Sequence, residues 1–240
     1  MKIHRFYVEE EMGKKGEKEQ ISLTNPELLH QMSKVFRFKA GDTVILFDGT
    51  GGETVCEITL LTKKIAEFSV KERREGLVVP AQKVTMYLSL IKKDNFEWVL
   101  QKGTELGVTR FVPVISERSE KKDLNMERAR KIVVEATEQS GWASVPEVND
   151  PVLLADVLES KESISENLIA FHLEGKRFEK SVLVGMAGKA SLGILIGPEG
   201  GFSEKEIVLF KSKNIPIYSL GKQTLRAETA GVAIASLLLL

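Results

Sequence analysis

Two closely spaced glycine turns between residues 191 and 230 constrain the fold more than any other feature of this sequence. Apolar runs at 192–196 and 215–220 each end in a glycine-bearing turn that is followed by a helical pattern. Short apolar runs bounded by glycine and proline are typical of buried strands. Ser203 lies three residues before Glu206, which predicts a capping box and a helix start.

Two strand–turn–helix units so close together predict a parallel sheet with a crevice at the carboxyl ends of its strands. Open α/β sheets bind ligands at such crevices. Either turn taken alone is a common structural element of α/β proteins. The pair is more informative because Glu199, Arg226, Glu228 and Thr229 lie in or beside the turns.

Charge balance, cysteine count and the polarity of the chain ends limit the kinds of protein that this sequence can encode. The 240 residues carry 34 basic and 34 acidic side chains, a balance that argues against indiscriminate coating of nucleic acid. The single cysteine, Cys56, excludes a disulfide framework and fits a reducing cytoplasm. No Cys/His spacing suggests a metal site, so we expect no metal. The polar N-terminus and the short apolar tail at 236–240 predict a cytoplasmic protein without signal peptide or membrane span.

The first seventy residues predict a small β-barrel, which we place at residues 1–72. Strands are expected at 3–8, 44–47, 54–60 and 65–70, a loop or hairpin tip at 9–20, and a short helix that starts at Pro26. Short strands joined by tight turns are typical of such barrels. Arg5, Arg37 and Lys39 have two possible roles, as phosphate contacts or as solvated surface charges.

The charge run at 71–76 marks the predicted start of a second domain, residues 73–240. From Val84 onwards strands alternate with helices, which predicts a mostly parallel sheet covered on both faces. Asp94 and Glu97 form a second capping-box pattern, and Gly107 is expected to end that helix. Further strands are expected at 84–91, 111–115 and 168–173, and further helices at 125–140, 153–158 and 178–186.

Several kinds of site are excluded by the spacing of residues around the crevice. Neither a dinucleotide fingerprint nor a P-loop occurs, and no G-x-S-x-G nucleophile elbow is present. Cys56 lies on a predicted strand and is expected in the core. Exposed main-chain groups remain, which suit a heteroaromatic ligand, with a second substrate held by arginine and carboxylate. A basic run that includes Arg118 is either a phosphate-contacting edge or a solvated face.

Specific motifs resemble the SPOUT superfamily of methyltransferases, and within it the family that methylates N3 of a uridine in 16S ribosomal RNA. The most specific are G-P-E-G-G-F-S-x-x-E at 197–206 and L-G-x-x-x-L-R-A-E-T-A at 220–230. Further matches are R-F-Y-V at 5–8, V-F-R-x-x-x-G-D at 35–42, F-D-G-T-G-G at 47–52, F-E-W-V-L-Q-K-G-T-E-L-G-V at 96–108, E-R-S at 117–119 and E-Q-S-G at 138–141. The resemblance therefore spans nearly the whole chain.

The resemblance implies an N-terminal PUA-like β-barrel that binds RNA and a C-terminal α/β SPOUT domain with a mostly parallel sheet and a trefoil knot. It also implies a homodimer that acts on 16S ribosomal RNA of the small ribosomal subunit and uses S-adenosylmethionine, bound in the knot. The cofactor contacts carried over by motif are His172, Leu173, Glu174, Ile196, Gly197, Pro198, Glu199, Gly200, Leu220, Gly221, Leu225, Arg226 and Ala230.

Arg226 and Glu228 are the expected catalytic residues. Arg226 would stabilise negative charge on the uracil carbonyls, and Glu228 would accept the N3 proton or orient Arg226. The alternative for Glu228 is an acid favoured by the helix dipole. Arg5, Arg37, Arg118 and Trp142 are the expected RNA contacts.

Two positions depart from the family pattern. Trp142 stands where arginine is usual, and Gln223-Thr224 where Arg-Ile is usual. Trp142 either stacks on a base or packs in the core. The rival interpretations are another SPOUT RNA methyltransferase, a catalytically inactive RNA-binding scaffold, and an α/β enzyme that uses a nucleotide cofactor.

Overall fold

A computed structural model describes residues 3–9, 20–76, 82–160, 167–186 and 191–240. The chain divides into two compact units. The first contains Met1–Val78 and also Thr137–Val145, and the second contains Val79–Ala136 and Pro146–Leu240. The segment Thr137–Val145 therefore belongs to the first unit, although it is distant from residues 1–78 in sequence.

The first unit is built on a five-stranded sheet of order β1-β3-β4-β5-β2. Its strands are β1 (His4–Tyr7), β2 (Gln20–Leu23), β3 (Thr43–Phe47), β4 (Gly52–Leu61) and β5 (Ala66–Glu75). The β1–β3 pair is parallel and the other pairs are antiparallel. The sheet and the first helix bury a common apolar core that includes Phe6, Met32, Leu46, Ile58 and Phe68.

Helix α1 (Pro26–His30) begins where the sequence predicts. The Asn25 side chain accepts hydrogen bonds from the backbone N–H groups of Glu27 and Leu28, and Pro26 occupies the first turn. The helix continues as a π-helical turn, Gln31–Val35. Its buried residues Leu29 and Met32 close one side of the core.

The charge run at 71–76, where the sequence predicts the boundary between the two domains, belongs to a strand of the first unit. Strand β5 continues through it to Glu75 and pairs with the start of β4, so residue 72 lies inside a strand. The reason is that sheet pairing uses main-chain groups, and charged side chains on such a strand can remain solvated or pair across it. Arg74, for example, pairs with Glu53 of β4. Of the predicted loop at 9–20, residues 10–19 lie outside the described residues, and Gln20 begins β2.

Cys56 is a core residue, as predicted. It is fully buried on β4 as a free thiol. Burial raises the pKa of the Cys56 thiol from 9.0 to about 11, against a smaller opposing effect of Arg73.

We therefore expect Cys56 in the folded protein not to react with a thiol reagent at pH 8, and to react fully in denaturant. Because the thiolate is disfavoured in the folded state, this group also lowers the free energy of unfolding as pH rises from about 9 towards 11. Time courses of thiol labelling in buffer and in urea check the first point. Comparison with Cys56→Ala above pH 9 checks the second, and rapid labelling of the folded protein would contradict burial of this thiol.

The second unit contains a parallel sheet of order β12-β10-β11-β6-β7-β8, with β9 paired to β7. The strands are β6 (Lys83–Ser89), β7 (Arg110–Ile115), β8 (Glu147–Val148), β9 (Val152–Leu153), β10 (Asn167–Arg177), β11 (Ser191–Ile196) and β12 (Ile217–Ser219). Each pair among these described strands is parallel. The predicted parallel sheet is confirmed.

Helices cover both faces of this sheet. They are α2 (Lys93–Leu106), α3 (Met126–Ser140), α4 (Leu154–Glu159), α5 (Lys180–Met186), α6 (Glu204–Ser212) and α7 (Ala227–Leu239). Tyr87 of β6 packs in one cluster with residues of α4 and α6. The neighbouring Met86 points to the opposite face, where it approaches Gly231 of α7. None of the described helices combines the length and apolar character needed to cross a bilayer.

The two predicted capping boxes have different outcomes. Ser203 caps α6, and the reciprocal bonds with Glu206 are both present, so this prediction is confirmed. The box at Asp94 and Glu97 is wrong, because α2 already begins at Lys93 and its N-cap, Lys92, makes no side-chain cap bond. The predicted stop at Gly107 is confirmed by its left-handed backbone, with φ at 99°.

Candidate functional site

The carboxyl ends of three adjacent strands form the candidate site. Strands β10, β11 and β12 are neighbours and parallel, so their ends and the turns that follow meet at one edge of the sheet. Strand β10 is irregular between Phe171 and Lys176. There Gly175 approaches the Tyr218 backbone so closely that a Cβ would lie 2.5 Å from a main-chain atom, which explains the glycine.

A cavity of about 190 Å³ opens at this edge. Its walls come from the end of β10, the turn after β11, and the segment that joins β12 to α7. The lining residues are Phe171, His172, Leu173, Ile196, Gly197, Pro198, Glu199, Gly200, Gly201, Tyr218, Ser219, Leu220, Gly221, Gln223, Thr224, Leu225, Ala227 and Ala230. Both predicted glycine turns therefore contribute to one cavity.

Most residues carried over by motif lie in this lining. Glu174 and Arg226 lie outside it, while the other eleven line the cavity. Sequence reasoning missed Phe171, Gly201, Tyr218, Ser219, Gln223, Thr224 and Ala227. Each of these lies within two residues of a predicted residue, so proximity in sequence was the available signal.

Main chain forms the wall contributed by the turn after β11. Gly201 has φ at 67°, and its N–H donates to the Pro198 carbonyl at 2.8 Å. A Cβ on Gly197 would lie 3.1 Å from the Phe202 nitrogen, tighter than ordinary packing allows. Glycine thus keeps this turn compact and its peptide groups accessible to a ligand.

Side chains fasten the same turn to two neighbouring loops. Oε1 of Glu199 accepts from the Lys92 N–H at 3.1 Å, at the start of α2. Arg118 donates to the Gly200 carbonyl at 2.8 Å. Arg118, predicted as an RNA contact, is therefore placed against the glycine turn, and Glu199 provides the tertiary cap that α2 lacks locally.

Glu206 makes a further link that sequence reasoning missed. One oxygen accepts from the Ser203 N–H at 2.7 Å, and the other accepts from the Glu117 N–H at 2.8 Å. The Ser203 hydroxyl in turn donates to the Glu117 carboxylate at 2.8 Å. Glu206 is buried, so its carboxylate holds the first turn of α6 against the loop after β7.

The predicted catalytic pair lies at the start of α7. Arg226 is the N-cap residue, is exposed and makes no side-chain cap bond. Glu228 follows in the first turn, and one of its carboxylate oxygens is buried with no hydrogen-bond partner among the described residues. Ala227 and Ala230 of the same turn line the cavity. Glu228 itself lies outside the lining. A buried carboxylate oxygen without a partner is uncommon in folded proteins.

The predicted RNA contacts of the first unit differ in accessibility. Arg5 is 11% exposed, forms an ion pair with Glu53, and donates to the Trp142 carbonyl at 2.9 Å. It also lies over the Phe47 ring at 4.9 Å. Because the Arg5 guanidinium is already bound on several sides, we do not retain it as an RNA contact. Trp142 is half-buried, and Arg37 is exposed.

Metal ligation has no support in the described part of the chain, where no three His, Cys, Asp or Glu side chains are grouped closely enough to hold an ion. The described residues that line the cavity offer main-chain groups and apolar side chains, with Glu199 as a charged residue among them.

Comparison with known proteins gives a consistent result. Residues 79–239 match the RNA methyltransferase domain, and residues 29–71 match the RNA methyltransferase PUA domain. The chain is 33% identical to the ribosomal RNA small subunit methyltransferase E of Rickettsia conorii, over 100% of this chain and 97% of that protein. It is 31% identical to the protein of the same name from Bacillus subtilis, over 95% and 93%.

Solved structures agree over nearly the full length. A Legionella pneumophila protein in complex with its cofactor SAM is 28% identical with a TM-score of 0.88, covering 99% of this chain and 97% of that one. The ribosomal RNA small subunit methyltransferase E of Neisseria gonorrhoeae, bound to S-adenosyl methionine, is 27% identical with a TM-score of 0.82, covering 98% and 96%. These matches confirm a PUA-like domain followed by a parallel α/β domain, and the chain belongs to the RNA methyltransferase family that includes the ribosomal RNA small subunit methyltransferases E.

Proposed function

We propose that this protein transfers a methyl group from S-adenosylmethionine to N3 of a specific uridine in 16S ribosomal RNA. The cavity formed by the two glycine turns is the observation that carries the proposal. It lies at the ligand-binding edge of a parallel sheet, in a chain that aligns over its length with a small subunit methyltransferase bound to S-adenosyl methionine.

The lining of the cavity fits an adenosyl group. Ile196, Leu220 and Leu225 offer apolar surface for the adenine ring, and the turns that contain Gly197 and Gly221 offer main-chain donors and acceptors to its edge. S-adenosylmethionine, when bound, supplies an electrophilic methyl group. Glu199 and Arg118 hold the glycine turn in place before any ligand arrives, so its ordering costs little on binding.

The charged residues of α7 would serve the second substrate. Uridine N3 carries a proton, which must leave before or while N3 attacks the methyl carbon. Glu228 has a buried carboxylate oxygen that would accept this proton. Exposed Arg226 would stabilise the negative charge that spreads to the uracil carbonyls. Arg37 and Trp142 remain the proposed RNA contacts of the first unit. Much of the catalysis would come from alignment of the two substrates.

Three further features belong to the proposal: a trefoil knot in the C-terminal segment, a homodimer and a cytoplasmic location. The motifs at 197–206 and 220–230 support them through the SPOUT resemblance. Light scattering of the purified protein tests the dimer, and an experimental chain trace tests the knot.

The decisive experiment uses the full chain, radiolabelled S-adenosylmethionine and small ribosomal subunits from cells that lack the modification. We expect label in the 16S RNA, mapped to one uridine and recovered as the N3-methylated nucleoside. Label at another RNA position or another atom would instead indicate a different SPOUT methyltransferase. Cofactor binding without any transfer to RNA would indicate the scaffold.

A further inference from the structure

An aromatic cluster reaches the surface of the first unit, at the end of its sheet. Three half-buried rings form it, His4 of β1 and Phe36 and Phe38 of the segment after the π-helical turn. The His4 ring lies 4.4 Å from that of Phe36 and 5.6 Å from that of Phe38, and the two phenylalanine rings stack 5.7 Å apart. We call these three residues the aromatic edge.

The aromatic edge continues inwards to the core and outwards to solvent. Phe6, two residues after His4 and on the same face of β1, is buried and contacts both phenylalanine rings edge-on. The residues that precede Phe36 and His4 in sequence are apolar and exposed, Val35 at 64% and Ile3 at 38%. Packing against buried Phe6 therefore fixes the two phenylalanine rings, while neighbouring apolar residues remain exposed to solvent.

Three basic residues lie on the same segment as Phe36 and Phe38. Lys34, Arg37 and Lys39 are exposed, and none of the three forms an ion pair with a described residue. The nearby acid in sequence, Asp42, has a carboxylate oxygen that accepts from the Lys39 N–H. Stacked rings bordered by unpaired cations are the combination by which proteins bind single-stranded nucleic acid.

The backbone of Arg37 gives an independent reason to assign it a function. It adopts the left-handed region, with φ at 58°, directly after the π-helical turn. Glycine is preferred at such a helix end, and a side chain there carries a conformational cost. The Phe36 and Phe38 N–H groups close the turn by donating to helix carbonyls, which fixes this geometry. Retention of a long cationic side chain at a position that favours glycine points to a role for that side chain.

We propose that the aromatic edge and Arg37 form a binding site for single-stranded RNA, in which an unpaired base stacks on the half-buried rings and Arg37 contacts the adjoining phosphate. The site rests on the proposed function, because it gives the RNA substrate a second anchor on the first unit, separate from the cofactor cavity. A base-paired duplex would not fit, since its bases are already stacked within the helix.

Binding of a short single-stranded oligoribonucleotide to the full chain, followed by fluorescence anisotropy, tests the site directly. His4→Ala is expected to weaken binding roughly 5- to 100-fold, whereas His4→Phe, which keeps a ring, is expected to stay near the wild type. The same RNA annealed to its complement should bind with little difference between these variants.

Arg37→Gly distinguishes a role in RNA binding from a structural role, because it should lower RNA affinity without lowering thermal stability. Thermal stability should stay the same or rise, since glycine suits the left-handed backbone, while RNA affinity falls and the salt dependence of log K drops by about one. Lys64→Ala, which removes one exposed charge from the turn between β4 and β5, is the matched control and should retain affinity.

Wild-type binding by His4→Ala and Arg37→Gly would overturn the site, as would equal losses in Lys64→Ala or no binding of single-stranded RNA by the wild type. These results are independent of catalysis. If the variants behave as expected but no RNA is ever methylated, the aromatic edge stands as an RNA site and the proposed methyl transfer fails.

Discussion

Arg226→Ala is expected to lower the rate of methyl transfer to small subunits by about 10²–10³-fold, the loss typical when a donor to a developing negative charge is removed. Melting temperature and affinity for S-adenosylmethionine should change little. The reasons are that the Arg226 side chain is exposed, makes no cap bond to α7, and lies outside the cavity lining. Single-turnover rates, isothermal calorimetry with the cofactor and thermal unfolding measure the three quantities.

Two further variants test whether the effect of Arg226 depends on its charge, on the geometry of its donors, or on positive charge anywhere in this segment. Arg226→Lys keeps the charge but not the planar fork of donors, so an intermediate rate would indicate that geometry matters in addition to charge. Lys222→Ala removes an exposed cation from the same segment and should retain activity. Full turnover by Arg226→Ala would remove the assigned role of this residue, and a large loss of cofactor affinity would move it to the cofactor site.

Local sequence patterns were sufficient to predict the parts of the site that depend on local chemistry. The glycine turns, the Ser203–Glu206 capping box and the stop at Gly107 each follow from a few adjacent residues, and the structure has all of them. Eleven of the residues assigned by motif also line one cavity. Their shared location depends on parallel strands ending at one edge, which the alternation of strands and helices predicts.

Interactions between distant residues could not be predicted in this way. The Lys92–Glu199 bond joins residues 107 positions apart, and the Glu117–Glu206 bond joins residues 89 apart. Spacing along one element carries no information about such pairs. Glu199 was expected to contact the cofactor, and its bond to the start of α2 was therefore missed. The ion pair of Arg5 with Glu53 was missed for the same reason, because the sequence gives no sign that these two residues meet in a buried position.

The assignment of Thr137–Val145 to the first unit is another result of such long-range contacts. The Tyr7 N–H donates to the Glu138 carboxylate at 2.8 Å, and the Gly51 N–H donates to the Ala143 carbonyl at 3.2 Å. Arg5 donates to the Trp142 carbonyl and also forms an ion pair with Glu53. The E-Q-S-G motif and the residue after it are thereby part of this unit, and a buried ion pair supports that attachment.

Glu53→Ala is expected to destabilise the first unit by about 3–5 kcal/mol, the range found when one partner of a buried ion pair is removed. Glu53 is 4% exposed and binds both Arg5 and Arg74, so its loss leaves the Arg5 charge buried at 11% exposure without a carboxylate. Hydrogen exchange of the β4 amides reports the stability of this unit by itself, because the two units need not unfold together.

Glu57→Ala is the matched control for this loss. Glu57 lies on the same strand and pairs with Lys71, but both side chains are well exposed, at 39% and 49%. Surface pairs of this kind contribute about 0–1 kcal/mol, so the control should remain close to the wild type. The double variant Arg5→Met, Glu53→Leu should recover much of the loss, since replacing both charges by apolar groups removes the unpaired buried ion. Equal stability of Glu53→Ala and Glu57→Ala would show that the Arg5 charge reaches solvent, and that the attachment of 137–145 depends on its main-chain hydrogen bonds instead.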